Sequence, residues 1–206
     1  MFSYIYPLSL RRRPGAVNPD LELLLYRGRL QLATPDALYS DGDHYTPALA
    51  ALGYFKDILP AVKTVLVLGS GLGSTLHIIR QRGFNTTNTL VDIDEVVLGW
   101  AMEFMEADVA ANTTPVCADA LVFMQQNKTK YDFIFIDIFN NRTVPDFVCS
   151  TEFLSLCAAA MAPGGHIGFN YIVNDPEQWI EVQQNFKSVF RKQYIIEDGV
   201  NKIFVS

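Results

Sequence analysis

The chain has 206 residues, 50% of them hydrophobic, and a formal net charge of −6. That length and apolar content can bury a sizeable core, as one domain with a small appendage. The negative balance argues against sequence-independent nucleic-acid binding, which depends on lysine and arginine neutralising phosphates.

The opening stretch MFSYIYPLSL is too short, and too broken by Pro7, to span a bilayer. Its charges follow the apolar residues, the reverse of a secretory signal, so no membrane partner is expected. Cys117, Cys149 and Cys157 form no CxxC pair and cannot all pair with one another. They read as packing residues in a reduced, cytoplasmic setting, and no metal site is expected. In that setting the Asn-x-Thr triplets at Asn85, Asn112, Asn127 and Asn141 are chance matches. The short basic cluster Arg11 to Arg13 reads as a solvated segment before Pro14.

LELLLYRGRLQLAT then predicts two short strands around Arg27-Gly28, a small β-hairpin. Thr46 followed by Pro47 predicts an N-cap with proline at the first helical position, opening a helix through about Leu59. Branched apolar runs follow at Val65 to Leu68, Leu90 to Ile93, Phe133 to Ile136 and His166 to Tyr171, separated by segments long enough for helices. Such runs suit strands buried on both faces of a parallel sheet. Pro163-Gly164-Gly165 stops an alanine-rich helix near Ala162, and Asp175, Pro176 and Gln178 open another with a capping-box pattern. QYIIEDGVNKIFVS predicts a terminal antiparallel hairpin around Asp198-Gly199.

The first of the apolar runs opens VLVLGSGLGST. Gly69, Gly71 and Gly73 in the turn after it permit positive φ and close backbone approach, while the following helix start supplies free N–H groups. Tight-turn packing is the alternative reading of a lone glycine loop. Ser74 breaks the dinucleotide fingerprint, which wants glycine or alanine there. In LVDID, Asp92 and Asp94 lie at the end of the second strand, where a carboxylate accepts bonds from ribose hydroxyls; for Asp94, local capping stands level with that role. In CADA, Asp119 sits at a strand end before a helix, as a ligand contact or an N-cap.

This succession resembles the class I S-adenosylmethionine-dependent methyltransferase fold: α/β, Rossmann-like and doubly wound, with a mainly parallel sheet, a C-terminal antiparallel hairpin and a short β-hairpin ahead of it. It implies an N-terminal segment at 1–45 and a methyltransferase-like domain at 46–206. Gln31, Tyr45, the glycine loop, VDID, ADA and YDFIFID together resemble the polyamine aminopropyltransferases, the spermidine synthase group. The resemblance implies an adenosyl site formed by Gln31, Gly69, Gly71, Gly73, Asp92, Asp94, Asp119 and Ala120. It also implies a catalytic role for Asp137 and Tyr45, an amine among the small-molecule acceptors, and a homodimer.

Three departures matter. Leu72 stands where the family has an aspartate for the aminopropyl amine, Asn140 replaces the second acid after the fourth strand, and Pro47 replaces a glutamate if Tyr45 is the matching tyrosine. Tyr39 is the rival match. The kept adenosyl features with those acids gone lead to the expectation of methyl transfer from S-adenosylmethionine to a small molecule. The alternatives are aminopropyl transfer from decarboxylated S-adenosylmethionine and a non-catalytic adenosyl-binding protein. His44 is equally a cover for the pocket or a packing residue, and His166 reads as a core histidine.

Overall fold

The computed structural model describes residues 2–206. Four strands come first: β1 (Leu8–Arg13), β2 (Leu21–Tyr26), β3 (Arg29–Ala33) and β4 (Leu38–Ser40), in one antiparallel sheet in chain order. The hairpin β2–β3 turns at Arg27 and Gly28 with φ of 50° and 78°, the positive values a tight two-residue hairpin turn requires. Sequence patterning missed β1 and β4. β1 is exposed along its whole length and so shows no alternation, and β4 has only three residues. Arg11 to Arg13 are therefore strand residues, not an irregular solvated segment. The Arg11 guanidinium reaches both oxygens of Glu103, and Arg12 pairs with Glu22.

The helix expected from Thr46 to Leu59 is shorter. α1 spans Thr46–Tyr54, and its N-cap is Tyr45 in an extended conformation; Thr46 is already helical and makes no cap. Pro60 lies in a separate 3-10 turn, Leu59–Ala61, because a proline disfavours α geometry in the residue before it. From there the β/α alternation holds: β5 (Thr64–Leu68), α2 (Ser74–Gln81), β6 (Thr87–Asp92), α3 (Glu95–Phe104), α4 (Ala107–Ala111), β7 (Thr113–Cys117), α5 (Ala120–Gln126) and β8 (Tyr131–Ile136). α6 (Thr151–Ala160) ends two residues earlier than expected, and Pro163 to Gly165 fall inside β9 (Met161–Ile172). There the pairing with β8 shifts register between Tyr131 and Phe133, so the glycines serve a bulge instead of a helix stop. α7 (Pro176–Val189) opens as expected, with the Asp175 carboxylate accepting from the N–H groups of Glu177 and Gln178. The Gln178 side chain closes no capping box; its Oε1 accepts from the Tyr171 hydroxyl at 3.1 Å. β10 (Tyr194–Asp198) and β11 (Asn201–Val205) form the terminal hairpin.

The main sheet runs β10-β11-β9-β8-β5-β6-β7, parallel from β9 to β7 and antiparallel at β11 and β10. Apolar cores lie on both of its faces. Phe153, Phe169, Phe186 and Phe204 anchor one, and Leu52, Leu76, Phe133 and Phe135 anchor the other. His166 is half-buried with its ring 4.9 Å from that of Phe55, a packing position. A third cluster joins the N-terminal sheet to α3, where Leu21, Leu23 and Leu32 meet Val97 and Trp100. Burial of each such leucine contributes about 2 kcal/mol, enough to seat the small sheet beside the carboxyl ends of β5, β6 and β8. Among the described residues no helix is long and apolar enough to cross a membrane.

Candidate active site

In an open α/β sheet the crevice forms where chain order reverses, here between β5 and β8. A cavity of about 470 Å³ lies there, lined by the glycine loop, the strand ends, the turn after β8 and the edge of the N-terminal sheet. Gly69, Gly71, Asp92, Asp94, Asp119, Ala120, Tyr45 and Asp137 all line it. Gln31 and Gly73 do not. Gln31 is buried behind the wall, where its Nε2 donates to Asp41 Oδ1 at 2.8 Å beside the Arg29 guanidinium at 3.2 Å. Asp41 is the residue this arrangement presents to the cavity. Gly73 has a φ of 78° as the N-cap of α2, and a Cβ there would meet Met105 Cε at 2.8 Å.

The loop glycines answer to specific neighbours. At Gly69, with a φ of 91°, a side chain would overlap the Asp137 carbonyl; at Gly71, with a φ of 47°, it would meet the Tyr39 carbonyl at 2.8 Å. Below the loop, Asp92 Oδ2 accepts from the Ser70 N–H at 2.8 Å and the Ser70 hydroxyl at 2.9 Å, and Oδ1 accepts from the Asp94 N–H at 2.9 Å. Burial pushes the Asp92 carboxyl up, and these bonds pull it back. A carboxylate has about four lone-pair sites, and with three taken about one remains open to a further donor. Asp94 is used locally. It caps α3 by accepting from the Val96 N–H at 3.0 Å, and its second oxygen faces the Val17 N–H at 3.5 Å. Asp119 is an N-cap: its Oδ1 caps α5 through Leu121 and Val122, and the residue lies on the cavity wall.

Asp137 follows the last residue of β8, and its N–H is fixed by the Leu68 carbonyl at 2.7 Å. Its Oδ1 accepts from the Tyr45 hydroxyl at 3.1 Å and from Asn170 Nδ2 at 2.9 Å. Burial raises its pKa from 3.8 to about 6, against the opposing pull of those two bonds. The Tyr45 hydroxyl is itself pushed well above 10.0, by burial first and by the Asp137 charge second, so it stays a donor. Sequence reasoning missed Asn170. Its signal is a lone amide inside the apolar run HIGFNY, one step past the pairing of Ile136 with Phe169. Asn170 Oδ1 is buried with no partner among the described residues, an unmet acceptor on the cavity wall that a bound N–H or O–H group would satisfy. Leu72 turns away from this site. It packs against the cluster of Leu21, Leu32 and Trp100, so no carboxylate extends from the glycine loop at that position.

Comparison with known proteins identifies the fold and the family. An N-terminal histidine N-methyltransferase of Emericella nidulans is 33% identical over 116 residues, 54% of this chain and 20% of that protein. A polyamine aminopropyltransferase of Vibrio vulnificus is 25% identical over 153 residues, 71% of this chain and 51% of its own. The chain thus spans about half or less of the length of these curated relatives. Among solved structures, the spermidine synthase of Thermotoga maritima superposes with a TM-score of 0.73 at 15% identity, covering 96% of this chain and 71% of that one. Human methyltransferase-like protein 13 in complex with SAH gives 0.64 at 23% identity and 78% of each chain. Residues 43–197 match the spermine/spermidine synthase domain. The chain belongs to the spermine/spermidine synthase family.

Proposed function

We propose that the protein transfers a methyl group from S-adenosylmethionine to an amine nitrogen of a small molecule. The observation that carries this reading is the joint placement of Asp137, Tyr45 and Asn170 in one cavity with Asp92, Asp119 and the bare loop backbone. Asp92 and the loop hold the ribose side of the donor, and Asp119 and Ala120 flank its adenine. The sulfonium supplies an electrophilic carbon with a neutral thioether as leaving group. An amine attacks only through a free lone pair, so the chain must first take a proton from the ammonium. Asp137, with a pKa of about 6, is a stronger base than an ordinary carboxylate yet largely ionised near neutral pH. Tyr45 and Asn170 hold Oδ1, which leaves Oδ2 for the acceptor proton; Asn170 Oδ1 takes a further N–H.

Methyl transfer is preferred to aminopropyl transfer because Leu72 sits in an apolar cluster, leaving an aminopropyl ammonium without its carboxylate. Losing such a partner costs on the order of 3 kcal/mol in a dry site. Incubation with methyl-labelled S-adenosylmethionine and a panel of amines should move label to the acceptor and release S-adenosylhomocysteine. Release of methylthioadenosine from decarboxylated S-adenosylmethionine, with no methyl transfer, would replace this reading with aminopropyl transfer, which the likeness to the Vibrio vulnificus enzyme favours.

A further inference from the structure

Among the described residues lining the cavity, Arg142 alone carries a permanent positive charge. It sits in a turn fixed on three sides. Asn140 and Thr143 exchange backbone bonds at 2.8 and 3.0 Å across the turn. Asn141, with a φ of 54°, donates its N–H to the Tyr39 hydroxyl at 2.7 Å, and that hydroxyl donates to Asn18 Oδ1 at 3.1 Å. The Arg142 carbonyl accepts from Asn174 Nδ2 at 2.9 Å. The backbone that presents Arg142 is therefore held in place before any ligand arrives.

The guanidinium makes no ion pair among the described residues, although the same cavity is rich in carboxylates. Five of the cavity's six carboxylates are engaged elsewhere: Asp41 by Arg29 and Gln31, Asp92 by Ser70, Asp94 and Asp119 by helix starts, and Asp137 by Tyr45 and Asn170; the sixth, Asp36, also forms no ion pair with Arg142. Arg142 lies five residues after Asp137, in the turn that follows it, and lines the same cavity. A guanidinium binds a carboxylate through paired N–H donors and repels a second ammonium.

We propose that Arg142 binds a carboxylate at the distal end of the acceptor whose amine faces Asp137, so that the acceptor class is an amino-carboxylate and not a polyamine. This rests on the amine-acceptor reading of Asp137. The test is calorimetric titration of the full chain, with and without S-adenosylhomocysteine, by γ-aminobutyrate against putrescine and δ-aminovalerate against cadaverine. Within each pair the carbon chains match and only the distal charge differs. Each amino acid should bind about tenfold more tightly than its diamine. Arg142→Gln should bring that ratio to about one, and Arg142→Glu should reverse it, with melting temperatures unchanged because the side chain is exposed. Tighter binding of the diamines by the unaltered chain, a ratio that survives Arg142→Gln, or no binding of either amino acid at millimolar concentration overturns the proposal. Failure to bind S-adenosylhomocysteine would sink the donor assignment instead, since the titrations without it still read Arg142.

Discussion

Replacing Asp137 by asparagine should stabilise the fold at neutral pH while abolishing transfer. Burial lifts the Asp137 pKa from 3.8 to about 6, so the folded chain holds this proton more tightly than the unfolded chain does. The stability this gives is fully present below the unfolded value and is lost as pH rises through the folded one. At about 1.4 kcal/mol per pH unit, an ionised Asp137 destabilises the fold by at most about 3 kcal/mol. Asp137 keeps part of its surface on the cavity, where water screens the charge, which trims the figure to about 1–2 kcal/mol. The substituted amide would be close in shape to the carboxylate, and its carbonyl oxygen could still accept from Tyr45 and Asn170. For a chain of this size the gain corresponds to a melting temperature higher by about 2–8 °C. Thermal unfolding of both proteins, followed by circular dichroism between about pH 4 and about pH 8, reads the difference directly. The gap should be widest at the alkaline end and close toward the acid end. A variant that melts lower at the alkaline end, or a gap independent of pH, would refute the reasoning.

Tyr45→Phe removes a hydrogen bond that lowers the Asp137 pKa. The acid limb of the activity profile should therefore move to higher pH, and an unmoved limb in the pH–rate profile would separate Tyr45 from the base. Asp92→Ala strips three hydrogen bonds from the loop and its flank, and S-adenosylhomocysteine binding by calorimetry should weaken by at least about tenfold. Gly71→Ala forces a side chain to a φ of 47° against the Tyr39 carbonyl. Its cost of about 1–2 kcal/mol should lower the melting temperature by about 2–8 °C and weaken donor binding, whereas Gly199→Ala, where nothing crowds the Cβ, should leave donor binding unchanged.

The central sheet is legible in the sequence because its strands are buried on both faces and announce themselves as apolar runs. β1 and β4 are not, since exposure and brevity erase that signal. A helix start with a side-chain cap, as at Asp175, is readable; Thr46 misleads because Tyr45, without any cap bond, holds that position. The candidate site divides along similar lines. Asp92, Asp119 and Asp137 lie at strand ends that follow recognisable runs, so local sequence brings them to one cavity. Asn18, Asp41 and Asn170 reach the same cavity from segments distant in the chain, through the docking of the N-terminal sheet on α3 and the pairing of β9 with β8, while Arg142 lies in the irregular turn after Asp137, which carries no periodic signal. Gln31 shows the converse, a motif residue whose side chain is spent on orienting Asp41.

Calorimetric titration with S-adenosylmethionine and, side by side, its decarboxylated form tests the transferase reading most directly. Saturable binding of S-adenosylmethionine, tighter than that of the decarboxylated compound and lost in Asp92→Ala, is the expected result. Absence of binding by either sulfonium at millimolar concentration would contradict it.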